Sequence, residues 1–139
     1  MEEKIIKNLL KLSKKALKNK EVPVSCVLVK NNKILSKAYN KKNIKQNPLL
    51  HAEIICLQKA YKKLKRWNLN DCVLYVSLEP CDMCKQIIEE SRINKVYFIL
   101  DKGKITNKYN KTQYEQMYVS DDEEFRKYIN NFFKKLRKN

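Results

Sequence analysis

Glycine is almost absent from this chain: one residue in 139, beside three prolines, one tryptophan and one histidine. So little glycine excludes collagen-like repeats and Gly-rich linkers. Long apolar runs are missing too. None approaches the ~18–20 residues of a membrane span. The opening MEEKIIKNLL is acidic and amphipathic, where a signal peptide is basic and then apolar. These absences predict a cytoplasmic protein with no membrane partner. In that reducing compartment, the five cysteines read as metal ligands or core residues and not as disulfides. Acidic residues are also few, 15 against 31 basic ones, for a net charge of +16. Of the basic residues only Arg66, Arg92, Arg126 and Arg137 are arginine. Such an excess suits a polyanionic partner, most readily a nucleic acid. Solvated lysine faces account for the same composition, so charge alone does not select between the two.

What is present suffices for one ordinary domain over residues 1–139, with 43% hydrophobic and 33% charged residues and no tract that divides them. Ile5, Leu9, Leu12 and Ala16, with Ile6, Leu10 and Leu17 beside them, form an apolar stripe that predicts a first helix over 3–19. After Pro23, VSCVLVK and KILSKAY flank Asn31-Asn32 and read as a hairpin. Residues 40–50 are polar, contain Pro48 and lack periodicity, which predicts a loop. A helix follows over 52–65. CVLYVSL at 72–78 and KVYFIL at 95–100 are apolar enough for strands buried on both faces. A helix opens between them near Cys81, and QMYV at 116–119 supplies a last strand. Ser120 and Glu123 have capping-box spacing before a helix whose Phe125, Ile129, Phe132 and Leu136 share a face. The order predicts a three-layer α/β/α sandwich with a mixed five-stranded sheet.

The chemistry concentrates at two places. His51 stands just before a helix with Glu53 two residues on, and Glu79-Pro80-Cys81-Asp82-Met83-Cys84 ends a strand and opens the next helix. His51, Cys81 and Cys84 supply three metal ligands. A catalytic zinc site uses this number, because a fourth protein ligand would close the tetrahedron against water. Two cysteines three apart in a helix's first turn sit where free N–H groups favour thiolates. Two thiolates and a neutral imidazole balance the charge of one Zn2+ per chain. A water acidified by that metal needs a neighbouring group to carry its proton, and Glu53 is the candidate. Cys26, Cys56 and Cys72 read as small core residues. Trp67 suits a helix end or a subunit interface. Phe132 belongs to the core stripe, which leaves Phe133 as the aromatic candidate for base stacking.

HAE at 51–53 and LYVSLEPCDMC at 74–84 carry the H-x-E…P-C-x-x-C signature. On these residues the chain resembles the cytidine-deaminase superfamily, and most closely its tRNA adenosine deaminases. The resemblance runs from EVPVSCVLV (21–29) through SRINKVYF (91–98) and resumes at NNFFKKLRK in the last helix. It implies zinc-dependent hydrolysis at C6 of the wobble adenosine in a tRNA anticodon loop. Glu53 would protonate N1 and then the leaving amine, so that ammonia departs and inosine remains. It also implies that Asn40 hydrogen-bonds the extruded nucleoside, and that the protein is a homodimer. The basic end of the last helix, Lys134, Lys135, Arg137 and Lys138, fits phosphate contacts on an anticodon stem-loop.

After Leu100 the family carries a Gly-Ala-Arg-Asp-type run and a Gly-containing stretch, whereas this chain reads ILDKGKITNKYNKTQYEQMYV, with a shorter connection over 101–115. Lys102, Lys104, Lys108 and Lys111 are expected to substitute electrostatically for that run. Glu79 and Asp82 receive no role. Two other functions stay open on these residues. One is deamination of a free nucleobase or nucleoside such as guanine or cytosine. The other is a zinc- and RNA-binding partner subunit without catalysis.

Overall fold

The computed structural model describes residues 1–102 and 111–137. The expected roles of Lys104, Lys108 and Lys138 lie outside them. Chain order is α1 (Glu2–Lys18), β1 (Ser25–Lys30), β2 (Lys33–Tyr39), α2 (Ala52–Leu64), β3 (Cys72–Leu78), α3 (Asp82–Glu90), β4 (Lys95–Leu100), β5 (Gln113–Gln116) and α4 (Asp122–Arg137). The strands form one mixed sheet in the order β2-β1-β3-β4-β5. Pairing is antiparallel from β2 to β3 and parallel from β3 to β5. Side-chain alternation divides the core into two layers. Cys26, Leu28, Leu74 and Val76 face α2 and α3, while Val27 and Val29 face α1 and join Phe125 of α4. The α/β/α sandwich predicted from the sequence is the fold observed.

Local chemistry explains most element ends. Asn31 and Asn32 have φ of 51° and 60°, the left-handed pair that a tight hairpin turn needs and that asparagine tolerates. β2 is an edge strand, and α2 guards it. Lys59 Nζ donates to Lys37 O at 2.9 Å and Lys63 Nζ to Leu35 O at 2.6 Å, so outward carbonyls that would template another strand are already bound. Buried Glu21 accepts from Asn43 N at 3.0 Å and Ile44 N at 2.6 Å, which pins the 40–50 loop.

Two boundaries differ from the sequence expectation. The last strand is Gln113–Gln116 and not 116–119. Its inward residue, Tyr114, pairs with Val96 and packs on the α2/α3 layer, whereas Met117 and Val119 leave the sheet to cover the α1/α4 layer. The apolar run therefore marks packing beyond the strand, and the strand itself is a polar edge. Helix α4 starts at Asp122, not at a Ser120 cap. Asp121 O accepts from Phe125 N at 3.4 Å, and Ser120 lies in the preceding turn.

Candidate active site

The site forms where two helices begin at one end of the sheet. His51 is the N-cap of α2 and Cys81 the N-cap of α3. Both residues are extended in backbone, and each gives its carbonyl to the first helical bond, from Ile55 N at 3.1 Å and Lys85 N at 2.9 Å. The parallel β3-turn-α3 unit returns Cys81 and Cys84 to His51, so two positive helix ends converge on the cluster.

His51 Nδ1 lies 3.8 Å from Cys81 Sγ and 3.6 Å from Cys84 Sγ, and the three donor atoms all fall within 4.8 Å of one another. Tetrahedral zinc with ordinary Zn–S and Zn–N lengths separates neighbouring N and S ligands by about 3.6 Å. The observed edges fit that tetrahedron, and the soft sulfur and imidazole donors fit zinc. A hydrogen bond with Cys84 and the backbone pulls the Cys81 thiol down to about 5, against the opposing effect of burial. Cys84, which gives that bond and is more deeply buried, is pushed up. A divalent cation removes the second proton, because the ligand form is the thiolate.

Glu53 is 3% exposed, and its Oε1 has no hydrogen-bond partner among the described residues. Burial raises its carboxyl above the ordinary value, and the Cys81 charge adds to this. A buried carboxylate oxygen left unpaired costs free energy. Here the unpaired atom belongs to a residue that borders a cavity of about 520 Å3, with His51, Cys81, Asn40, Lys42, Glu79, Lys102 and Phe133 also in its wall. Asn40 is buried, and its Oδ1 accepts from Ala52 N at 2.7 Å. That backbone donor identifies the oxygen end of the amide and leaves the NH2 for a ligand.

The five residues singled out in sequence thus meet at one place: His51, Glu53, Cys81 and Asn40 border the cavity, and Cys84 completes the metal cluster behind them. Lys134, Lys135 and Arg137 are exposed on the last turns of α4 and do not line the cavity. Cys26, Cys56 and Cys72 are buried in the core as expected. Sequence reasoning missed the ion pair that brackets the cysteines. Glu79 Oε2 accepts from Lys85 Nζ at 2.9 Å with both side chains at most 5% exposed, Glu79 Oε1 accepts from Lys102 N at 3.2 Å, and the Lys85 ammonium sits 5.0 Å from the Tyr114 ring centre. The signal was available: Lys85 falls on the apolar stripe of Cys84 and Ile88 in α3, and a lysine there requires a buried partner. Lys102 and Phe133 as cavity walls had only partial signals in their charge and aromaticity.

The fold and the donor set define a zinc-dependent deaminase site. The model of the cytidine and deoxycytidylate deaminase zinc-binding region matches residues 1–100, and the chain belongs to that family. It is 36% identical to the tRNA-specific adenosine deaminase of Aquifex aeolicus over 99% of this chain and 97% of the relative. It is 40% identical to the enzyme of the same name from Bacillus subtilis, over 70% of this chain and 60% of that protein. Among solved structures, one from a study of A-to-I editing by tRNA:A34 deaminases superposes with a TM-score of 0.74 at 23% identity, covering 81% of this chain and 95% of the other. A Bacillus subtilis guanine deaminase gives 0.68 at 24% identity, with 94% of each chain covered. At these identities the structural likeness establishes the fold. Zinc is the cofactor of the family, and the His/Cys/Cys cluster provides its donors.

Proposed function

We propose that this protein converts adenosine to inosine at the wobble position of a tRNA anticodon loop, by zinc-dependent hydrolytic deamination. The observation that carries the reading is the unpaired, buried Glu53 Oε1 beside a three-donor cluster at the wall of a cavity sized for a nucleoside. The full-length relative at 36% identity supports adenosine in tRNA over a free base.

His51, Cys81 and Cys84 would hold the zinc. Bound there, it supplies an acidified water as the nucleophile. Glu53 carries the protons, first to N1 of the adenine and then to the departing amine, and the raised carboxyl pKa suits a group that must both give and take. The Asn40 NH2 donates to the nucleoside, and its bond to Ala52 N holds it in place. Phe133 offers an aromatic wall to the face of the base. Lys134, Lys135, Arg137 and Lys138 meet phosphates of the stem-loop. A single-stranded loop suits the reaction because unstacking its base costs little. Residues 1–139 act as one deaminase domain, in the cytoplasm and as a homodimer. Among the described residues, no helix is long and apolar enough to cross a membrane.

The test is to incubate the zinc-loaded protein, and its Glu53→Ala variant, with an anticodon stem-loop carrying adenosine at the wobble position and with free adenosine, cytosine and guanine. Inosine in the RNA, absent with the variant, is the expected result. Ammonia from a free base alone would replace this reading with nucleobase salvage. Salt-sensitive RNA binding without turnover would replace it with a binding role. Sedimentation of the holoenzyme checks the dimer.

A further inference from the structure

Five lysines from three parts of the chain gather along the outer edge of β2. Lys59 and Lys63 reach over from α2 to the Lys37 and Leu35 carbonyls, at 2.9 and 2.6 Å. On the α1 side, Lys37 Nζ donates to Asn8 Oδ1 at 3.1 Å. Lys15 of α1 and Lys41, just past the strand, place their ammoniums 5.8 and 5.1 Å from the Tyr39 ring centre. Lys15, Lys37, Lys59 and Lys63 are exposed, and Lys41 is half-buried. From Leu35 to Tyr39 the strand rises about 13 Å. The row then continues through Lys41 to Lys42, which lines the reactive cavity.

Guarding the edge accounts for Lys59 and Lys63, and the helix dipole favours Lys15 and Lys63 in the last turns of α1 and α2. Neither accounts for Lys37 and Lys41, or for a row made of cations alone. Among the described residues, none of the five forms an ion pair with a carboxylate. The row repels itself: partial burial, and then the charges of Lys41, Lys63 and Lys37, hold the Lys59 ammonium below its usual pKa. An anion that spans several of these positions relieves that repulsion. Tyr39 is half-buried and its ring already meets two ammoniums, so the edge offers charge and no free stacking face. Single-stranded RNA is held by charge and stacking together, whereas a duplex presents its phosphates with the bases enclosed.

We propose that this lysine edge binds the phosphate backbone of the anticodon stem while the loop enters the cavity. The inference rests on the RNA reading above and extends the contact from the loop to the stem. Contacts to phosphates position the RNA without reading its bases, so the edge adds affinity for a stem of any sequence. A free nucleoside, or a loop without its stem, forgoes that affinity.

The experiment uses zinc-loaded full-length protein and two RNAs, a stem-loop with adenosine at the wobble position and a linear oligonucleotide of the same loop sequence without the stem. Affinity is read by fluorescence anisotropy across a salt series. The proteins are wild type, an edge variant carrying Lys15→Gln with Lys37→Gln, and a control carrying Lys7→Gln with Lys127→Gln, which removes equal charge from other surfaces. All four lysines are exposed, and zinc content and melting temperature report that each variant is folded. For the stem-loop, the edge variant should reduce the slope of log affinity against log salt by about 1.4–1.8, at about 0.7–0.9 for each of two phosphates. Its KM for the stem-loop should rise while kcat is held, and its affinity for the linear RNA should match that of wild type. An unchanged slope, an equal loss on the linear RNA, or an equal loss in the control overturns the proposal. Inosine formation in the stem-loop by wild type is scored separately, so failure of the RNA reading is told apart from failure of the stem surface.

Discussion

Replacing Lys85 with methionine tests how the metal-bearing turn is held. The substitution keeps an unbranched side chain on the buried face of α3 but deletes the ammonium that Glu79 Oε2 meets at 2.9 Å. Both side chains are at most 5% exposed, so solvent screening does not soften the loss. Removing one partner of a buried pair leaves an uncompensated charge and costs about 3–5 kcal/mol. Among the described residues Glu79 retains the bond from Lys102 N, which places the expected cost near the lower end, about 3 kcal/mol. For a domain of this size that is a melting shift of about 10 °C. Replacing both residues, Glu79→Met with Lys85→Met, trades the pair for apolar packing. Among the described residues it forfeits the bond to Lys102 N, whose residue is exposed and can be hydrated, so about 1 kcal/mol should remain. The assay is thermal unfolding of zinc-loaded protein, followed by circular dichroism, for the four corners of this cycle. A Lys85→Met protein within about 1 kcal/mol of wild type, or a double variant no more stable than the single one, would refute the reasoning.

Other perturbations address the site more directly. Glu53→Gln keeps the shape of the side chain while removing its proton traffic; zinc content should hold and the deamination rate should fall at least about a hundredfold, as read by single-turnover inosine formation. Alanine at His51, Cys81 or Cys84 should release zinc, measured by elemental analysis of the dialysed protein. Chelation of the wild type should lower its melting temperature, since a ligand at a hundred times its Kd contributes about 2.7 kcal/mol. Asn40→Asp preserves the acceptor for Ala52 N but not the NH2, so melting should change little while KM rises several-fold; an unchanged KM would remove Asn40 from substrate binding. Alanine at Lys134, Lys135 and Arg137 together should weaken RNA binding and reduce the slope of log affinity against log salt by about 0.7 for each phosphate that the variant no longer neutralises.

Much of this protein was determined by its sequence alone, and the reason is locality. The hairpin follows from two asparagines that accept positive φ. The helices follow from apolar stripes, and the donor types from one histidine and a Cys-x-x-Cys pair at helix starts. Tertiary structure decided what lies far apart along the chain. The crossover from β3 into α3 brings Cys81 within 3.8 Å of a histidine 30 residues earlier. It also turns Lys85 toward Glu79, a pairing that no local spacing specifies. β5 is a polar edge because its register on β4 half-buries Tyr114 and Gln116 and leaves Gln113 and Glu115 exposed, so the apolar run just after it misled a reading based on hydrophobicity. The packing of α4 along α1 set Phe132 at a hollow between the two helix ends and Phe133 at the wall of the reactive cavity. Periodicity assigns a residue to a face of its own helix, but only the neighbouring helix and the chemistry at the sheet's end decide what that face meets.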